Sequence, residues 1–217
     1  MANRESIQAI RPYEAYLFRP IDDVAGDLEV LIALLNKWQR IQNLVSRETL
    51  KDVWTRHIAD SLQVLKSVSE TDRIFVDIGS GGGFPALPLA VASKGSDRVF
   101  MLVEPTGRKA SFLKTVSREL SLSTRVENSR IEDIDSRETL APDVITSRAL
   151  ASLDALCGMV SPIFGPRTRA IFHKGREHVD ELAESSANWH YDVLVTASDT
   201  DPNGVLIELR NLRSKHK

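Results

Sequence analysis

Apolar positions in the first third of the chain recur at three- and four-residue intervals. Leu28, Leu31, Ile32, Leu35 and Trp38 fall on one helical stripe, and the helical pattern runs from Val24 to about Val68, with Asp22 and Asp23 placed to cap its start. A second helical stretch within it covers Glu48 to Val68, where Leu50, Val53, Trp54, His57, Ile58, Ser61, Leu62 and Leu65 keep the same spacing. Together these predict an N-terminal helical extension over residues 1–70.

Beyond that point the pattern changes to short apolar runs separated by longer segments, as in a mostly parallel sheet with helices on both faces. The runs predict seven strands, at Arg73–Ile78, Arg98–Val103, Thr124–Glu127, Asp143–Thr146, Arg169–His173, Tyr191–Val195 and Val205–Leu209. Helix-length segments separate the first five. The last two are joined by Ser198-Asp199-Thr200-Asp201-Pro202-Asn203-Gly204, which is turn chemistry, so the sheet should finish in an antiparallel hairpin. The expectation is one compact α/β domain over residues 71–217.

A chain of 217 residues suits one main core. No apolar run approaches the ~20 residues that span a bilayer, and Arg4, Glu5, Arg11 and Glu14 interrupt any secretory signal, so a soluble, cytoplasmic protein without a membrane partner is expected. A single cysteine, Cys157, excludes an internal disulfide and a zinc site of several thiolates. The five histidines show no HExxH or HxH spacing, so no metal site is expected. A net charge of -2 argues against a generally basic coat and leaves room for local basic patches.

Candidate chemistry gathers after the first strand. Ile74-Phe75-Val76-Asp77-Ile78 runs into Gly79-Ser80-Gly81-Gly82-Gly83-Phe84-Pro85 and then the apolar helix Ala86–Ala92. Glycines let a ligand lie against bare backbone, and the amides at a helix start favour an anionic group. The dinucleotide fingerprint would need a third glycine where this chain has Phe84, and no Lys-Ser or Lys-Thr completes a phosphate loop. The second strand ends at Glu104, whose carboxylate can accept from two ribose hydroxyls. Ser129-Arg130-Ile131-Glu132-Asp133-Ile134 offers an apolar side chain for an adenine face, and Thr146-Ser147-Arg148-Ala149 brings a cation to the same edge.

At these residues the chain resembles the RsmG (GidB) family of bacterial methyltransferases. The resemblance is carried by Asn43-Leu44-Val45-Ser46, Arg56-His57-Ile58-Ala59-Asp60-Ser61-Leu62, the segment Val76 to Pro85, Gly107-Arg108-Lys109-Ala110-Ser111-Phe112-Leu113, Ile131-Glu132-Asp133, Ser147-Arg148-Ala149 and His173-Lys174-Gly175, spread over residues 36–175. It implies a Rossmann-like class I methyltransferase fold and S-adenosylmethionine as cofactor. It also implies methylation at N7 of a guanosine in small-subunit (16S) ribosomal RNA, free or in the particle. Gly79, Gly81, Phe84, Ile131, Glu132 and Arg148 would line the cofactor site, with Glu104 on the ribose. Phe84 replaces a common leucine, and Pro105-Thr106 departs from the family's usual turn.

Guanine N7 carries no proton, so its methylation requires no general base, and Arg148 and Lys174 are candidates only for positioning the base. An exocyclic-amine methylase motif is missing after the fourth strand, and Cys157 sits in a helical pattern with Leu153, Leu156 and Val160, which reads as core rather than nucleophile. Candidate RNA contacts are Arg56, His57, Arg108, Lys109 and Lys174, with Arg40, Arg47, Lys114, Arg118 and Arg176 as further basic positions. A monomer is expected. Two other readings stay open on the residues alone: a class I methyltransferase acting on a small molecule or protein, and a nucleotide-binding module without chemistry.

Overall fold

The computed structural model describes residues 3–134 and 142–216. Asn3 caps α1 (Arg4–Ile10) by accepting from the Glu5 amide, and a 3-10 turn (Arg11–Tyr16) follows. Helix α2 (Ile21–Gln39) buries Leu28, Leu31 and Leu35 of the predicted stripe together with Val24 and Ala25, while Ile32 and Trp38 of the stripe are partly buried. Its cap is Pro20, without a side-chain bond, so Asp22 and Asp23 do not cap it. They lie in its first turn, where carboxylates oppose the helix dipole favourably.

The predicted helix from Val24 to Val68 is not continuous. It stops at Gln39, whose Nε2 donates to Val45 O at 2.8 Å and whose Oε1 accepts from the Leu44 and Val45 amides at 2.9 and 3.1 Å, holding a loop in place of the next turns. The second stretch is composite: 3-10 (Thr49–Asp52), a π turn (Trp54–Ala59), α3 (Asp60–Leu62) and 3-10 again (Gln63–Ser67). The π turn widens the helix where His57 and Arg56 face the sheet, and such widenings concentrate at functional sites.

The sheet contains β1 (Ile74–Ile78), β2 (Val99–Val103), β3 (Thr124–Glu127), β4 (Val144–Arg148), β5 (Arg169–Lys174), β6 (Trp189–Ala197) and β7 (Val205–Ser214), in the order β3-β2-β1-β4-β5-β7-β6. The first five run parallel, and β7 inserts antiparallel between β5 and β6, as the hairpin turn requires. The hairpin is longer than the apolar runs predicted, continuing through a register shift between His190 and Asp192. Helices α4 (Ala86–Ala92), α5 (Gly107–Glu119), α6 (Leu153–Val160) and α7 (His178–Asn188) follow β1, β2, β4 and β5. After β3 the described residues hold a 3-10 turn, Ile131–Asp133, and the rest of the expected helix-length segment lies partly outside the described residues.

Two apolar clusters cover the sheet. One joins Ile10, Tyr13, Leu28, Leu31 and Leu35 of the N-terminal layer to Leu62, Phe75, Phe100, Leu89 and Phe112; the other joins Val76, Ile78 and Phe172 to α6, including fully buried Cys157. Each fully buried leucine contributes about 1.5–3 kcal/mol, so the N-terminal layer is integral to the core on its face. Polar ties extend it to the β6–β7 turn, where Tyr13 Oη and Lys66 Nζ donate to Asp199 at 3.0 and 2.6 Å. No helix among the described residues is long and apolar enough to cross a membrane.

Candidate active site

Because β1, β2, β4 and β5 are parallel, their carboxyl ends meet on one edge, the place where open sheets bind ligands. A cleft of about 810 Å³ opens there. Its floor is the turn after β1, where Gly79, Gly81 and Gly83 have φ of 66, 51 and 87°. A Cβ on Gly82 would stand 2.8 Å from Leu44 O, so the loop held by Gln39 lies directly against this turn. A Cβ on Gly81 would meet only Gly79 O, at an ordinary contact distance of 3.6 Å, and clash with nothing. The bare backbone of Gly81 therefore forms a surface a ligand can approach.

Glu104 follows β2 and is 4% exposed. Its Oε2 accepts from the Gly81 amide and its Oε1 from the Thr106 amide, both at 2.8 Å. A carboxylate has about four acceptor positions, so two remain for hydroxyl donors. Beneath the turn, buried Asp77 accepts from Thr146 Oγ1 at 2.6 Å and its second oxygen has no partner; burial raises its pKa to about 6 against the lowering effect of the Thr146 and Ser80 bonds.

Arg148, at the end of β4, does not project freely. Its Nη1 donates to Arg56 O at 3.0 Å and Asp60 Oδ2 at 2.9 Å, its Nη2 donates to His57 Nδ1 at 2.6 Å, and its guanidinium lies 5.3 Å from the centre of the Phe84 ring. His57 is buried, stacks on Phe84 at 4.8 Å and bonds Thr49 Oγ1 at 2.8 Å through Nε2. Burial first, and the Arg148 charge second, push its pKa down to about 4, so the ring is neutral. Lys174, at the end of β5, donates to Ala151 O at 2.6 Å and Glu181 at 2.5 Å. Arg56 pairs with Asp201 at 2.8 Å.

The structure thus gathers Gly79, Gly81, Phe84, Glu104, Arg148, Arg56, His57, Lys109 and Lys174 around one cleft. Ile131 is buried in the apolar cluster with Val76, Ile78 and Val103, whereas Glu132 and Arg108 are exposed, and none of the three belongs to the cleft lining. Among the described cleft residues Lys109 has no carboxylate partner, while Arg56, Arg148 and Lys174 are all paired. Sequence reasoning assigned no role to Asp60, Asp201 or Gln39, although Asp60 sits in a quoted motif. Asp60 and Asp201 find partners far away in the chain, as in the Arg56–Asp201 pair, and Gln39 bonds the backbone of the loop that follows it; helical spacing carries no signal of either. Cys157 is sealed in α6 with its thiol pushed up to about 12 by burial, which removes it as a nucleophile at neutral pH.

Comparison with known proteins adds the family. The model of the rRNA small subunit methyltransferase G family, GidB, matches residues 25–200. Ribosomal RNA small subunit methyltransferase G of Cereibacter sphaeroides is 38% identical over 192 residues, 88% of this chain and 92% of that protein. The protein of the same name from Brucella ovis is 41% identical over 184 residues, 84% and 85% of the two chains. Among solved structures, a SAM dependent methyltransferase from Aquifex aeolicus superposes with a TM-score of 0.57 at 14% identity, over 81% of this chain and 97% of that one. That likeness speaks for the fold, the Rossmann-like methyltransferase architecture with its terminal hairpin. With a family model spanning most of its length and relatives near 40% identity behind it, the chain belongs to the rRNA small subunit methyltransferase G family.

Proposed function

We propose that this cleft binds S-adenosylmethionine and transfers its methyl group to N7 of a guanosine in small-subunit ribosomal RNA. The observation that carries the cofactor half is the Glu104 carboxylate, fixed by the Gly81 and Thr106 amides beside the bare glycine turn, with acceptor capacity left over. In this reading Glu104 takes the ribose hydroxyls, Gly79 and Gly81 allow the close approach of the amino-acid end, and Phe84 supplies an apolar wall. The adenine end is assigned to the turn after β3, where Ile131 and Glu132 stand outside the lining of the cleft. When bound, the cofactor supplies an electrophilic methyl on a sulfonium.

An in-line displacement asks the protein chiefly for alignment, because holding the reacting atoms in near-attack geometry replaces a bimolecular encounter. Guanine N7 brings its own lone pair, so a cleft whose histidine is buried and neutral is adequate for the transfer. Arg148 and Lys174, each pinned by a carboxylate and a carbonyl, act as fixed walls that orient the base. Arg108 and Lys109, on the first turns of α5, are the cations available to phosphates, while Arg56 and His57 support the rim from inside. Fold likeness at low identity leaves the acceptor open, and it is family membership that favours ribosomal RNA over a small molecule or protein. The working unit is a cytoplasmic monomer in which residues 1–70 form an acceptor-side layer on the domain at 71–217.

The test is to incubate the protein and radiolabelled S-adenosylmethionine with isolated small subunits, or with naked ribosomal RNA, from a strain lacking the enzyme. Label at a guanosine of the small-subunit RNA is expected. Label only in protein or small molecules, or none at all, overturns the proposal.

A further inference from the structure

Asp60 joins more elements of the cleft than any mechanism of N7 transfer needs. Its Oδ2 accepts from Arg148 at 2.9 Å, its Oδ1 from Thr200 Oγ1 at 2.7 Å and Gln63 Nε2 at 2.8 Å, and its backbone carbonyl from His173 Nε2 at 2.9 Å. Those partners come from β4, the β6–β7 turn, the end of the composite helix and β5, so the carboxylate is held from every side and has little freedom to turn away from the guanidinium.

Arg148 and the glycine turn line the same cleft, with Phe84 between them. The Arg148 side chain is 17% exposed and Asp60 15%. Charges that little exposed are screened weakly, and like charges several ångströms apart repel appreciably there. A sulfonium cation entering the cleft would meet the guanidinium field, while the neutral thioether left after transfer would not. The two other paired cations, Arg56 and Lys174, have carboxylates of their own.

We infer that Asp60 is a positioning residue for charge: by cancelling Arg148 it lets the cleft hold the sulfonium of S-adenosylmethionine rather than favour the neutral thioether product. This rests on the cofactor reading above and concerns no RNA contact.

The test measures dissociation constants for S-adenosylmethionine and S-adenosylhomocysteine by calorimetry, without RNA, for the wild-type protein, Asp60→Asn and Arg148→Gln. Asn keeps an oxygen for Thr200 and Gln63, loses the charge, and turns an amide NH₂ in place of an acceptor toward Arg148. In Asp60→Asn the ratio of the two constants should move about three- to tenfold against the sulfonium, with the thioether affinity little changed. A folded variant whose two affinities fall together, ratio unchanged, overturns the inference and marks Asp60 as structural. If circular dichroism shows Asp60→Asn unfolded, Arg148→Gln decides: the ratio must move toward the sulfonium, and an unchanged or opposite ratio overturns it. A wild-type protein that binds neither ligand sinks the cofactor reading and this inference together, whereas binding with an insensitive ratio sinks only the latter.

Discussion

The Arg148 guanidinium donates to Nδ1 of His57 at 2.6 Å, which requires that nitrogen to carry a lone pair, and the opposite Nε2–H then faces Thr49 Oγ1 at 2.8 Å. His57 is therefore the neutral Nε2–H tautomer, and protonating it would set two cations against each other inside the wall of the cleft. Its folded pKa, about 4, lies below the ordinary 6.5. The unfolded chain thus binds more protons between those values, so stability is full above pH 6.5 and is lost as pH falls toward 4, on the order of 2–3 kcal/mol from this group. His57→Gln keeps an acceptor for Arg148 and a donor for Thr49 without titrating. Urea denaturation at pH 7.5 and 5 should show a smaller loss for the variant, and equal losses would remove His57 from the acid sensitivity.

Glu104→Gln replaces one carboxylate oxygen with an amide NH₂ that must face either the Gly81 or the Thr106 amide, donor against donor. Losing charge-assisted hydrogen bonds of this kind costs about 1.5–3 kcal/mol, so affinity for S-adenosylmethionine should fall roughly 10- to 100-fold. Calorimetry on the folded variant measures it, and an unchanged affinity would take the ribose away from Glu104.

The glycine turn separates binding from folding at adjacent positions. At Gly81, φ is 51° and a Cβ would clash with nothing, so Gly81→Ala should cost about 1 kcal/mol of backbone strain yet weaken cofactor binding by obstructing the approach. Gly82→Ala would drive a Cβ to 2.8 Å from Leu44 O and force the Gln39-held loop outward, lowering the melting temperature more than Gly81→Ala does. Thermal melts with and without cofactor check both. Gly79→Val combines φ 66° with a clash on Leu150 and should abolish cofactor binding.

Two lysines lining the cleft should behave differently. Lys109 has no carboxylate partner among the described residues, so Lys109→Ala should reduce the salt dependence of RNA binding by about one counterion and leave the fold intact. Lys174→Ala leaves Glu181, which also accepts from the Leu153 amide at 2.6 Å, without its cation and should destabilise the α6–α7 side by about 1–3 kcal/mol. Filter binding across a salt series and denaturant midpoints distinguish the two.

The sheet was legible because short apolar runs and turn residues are local signals: all five parallel strands and the antiparallel closing hairpin lie within a few residues of their predicted places. The break at Gln39 was not, since an amide side chain bonding three backbone groups leaves the hydrophobic period on either side undisturbed. Nor was the π turn, which keeps Trp54, His57, Ile58 and Leu62 at spacings an ordinary helix also satisfies. The cleft residues at strand ends, Gly79, Gly81, Glu104, Arg148 and Lys174, were predictable from topology alone, because parallel strands share an edge. That three of its cations would be neutralised depended on Asp60, Asp201 and Glu181, of which the first two come from elements that meet only in the folded chain.

The tie between Tyr13 and Asp199 spans 186 residues, and it has a consequence for biogenesis. A ribosome making this chain releases the N-terminal layer first, yet the turn to which Tyr13, Lys66, Gln63 and Arg56 fasten emerges only after β1 to β6. Until then Tyr13, Lys66 and Arg56 lack Asp199 and Asp201, and the acceptor side of the cleft has no far wall. Closure of the site is therefore coupled to completion of the hairpin rather than to formation of the glycine turn.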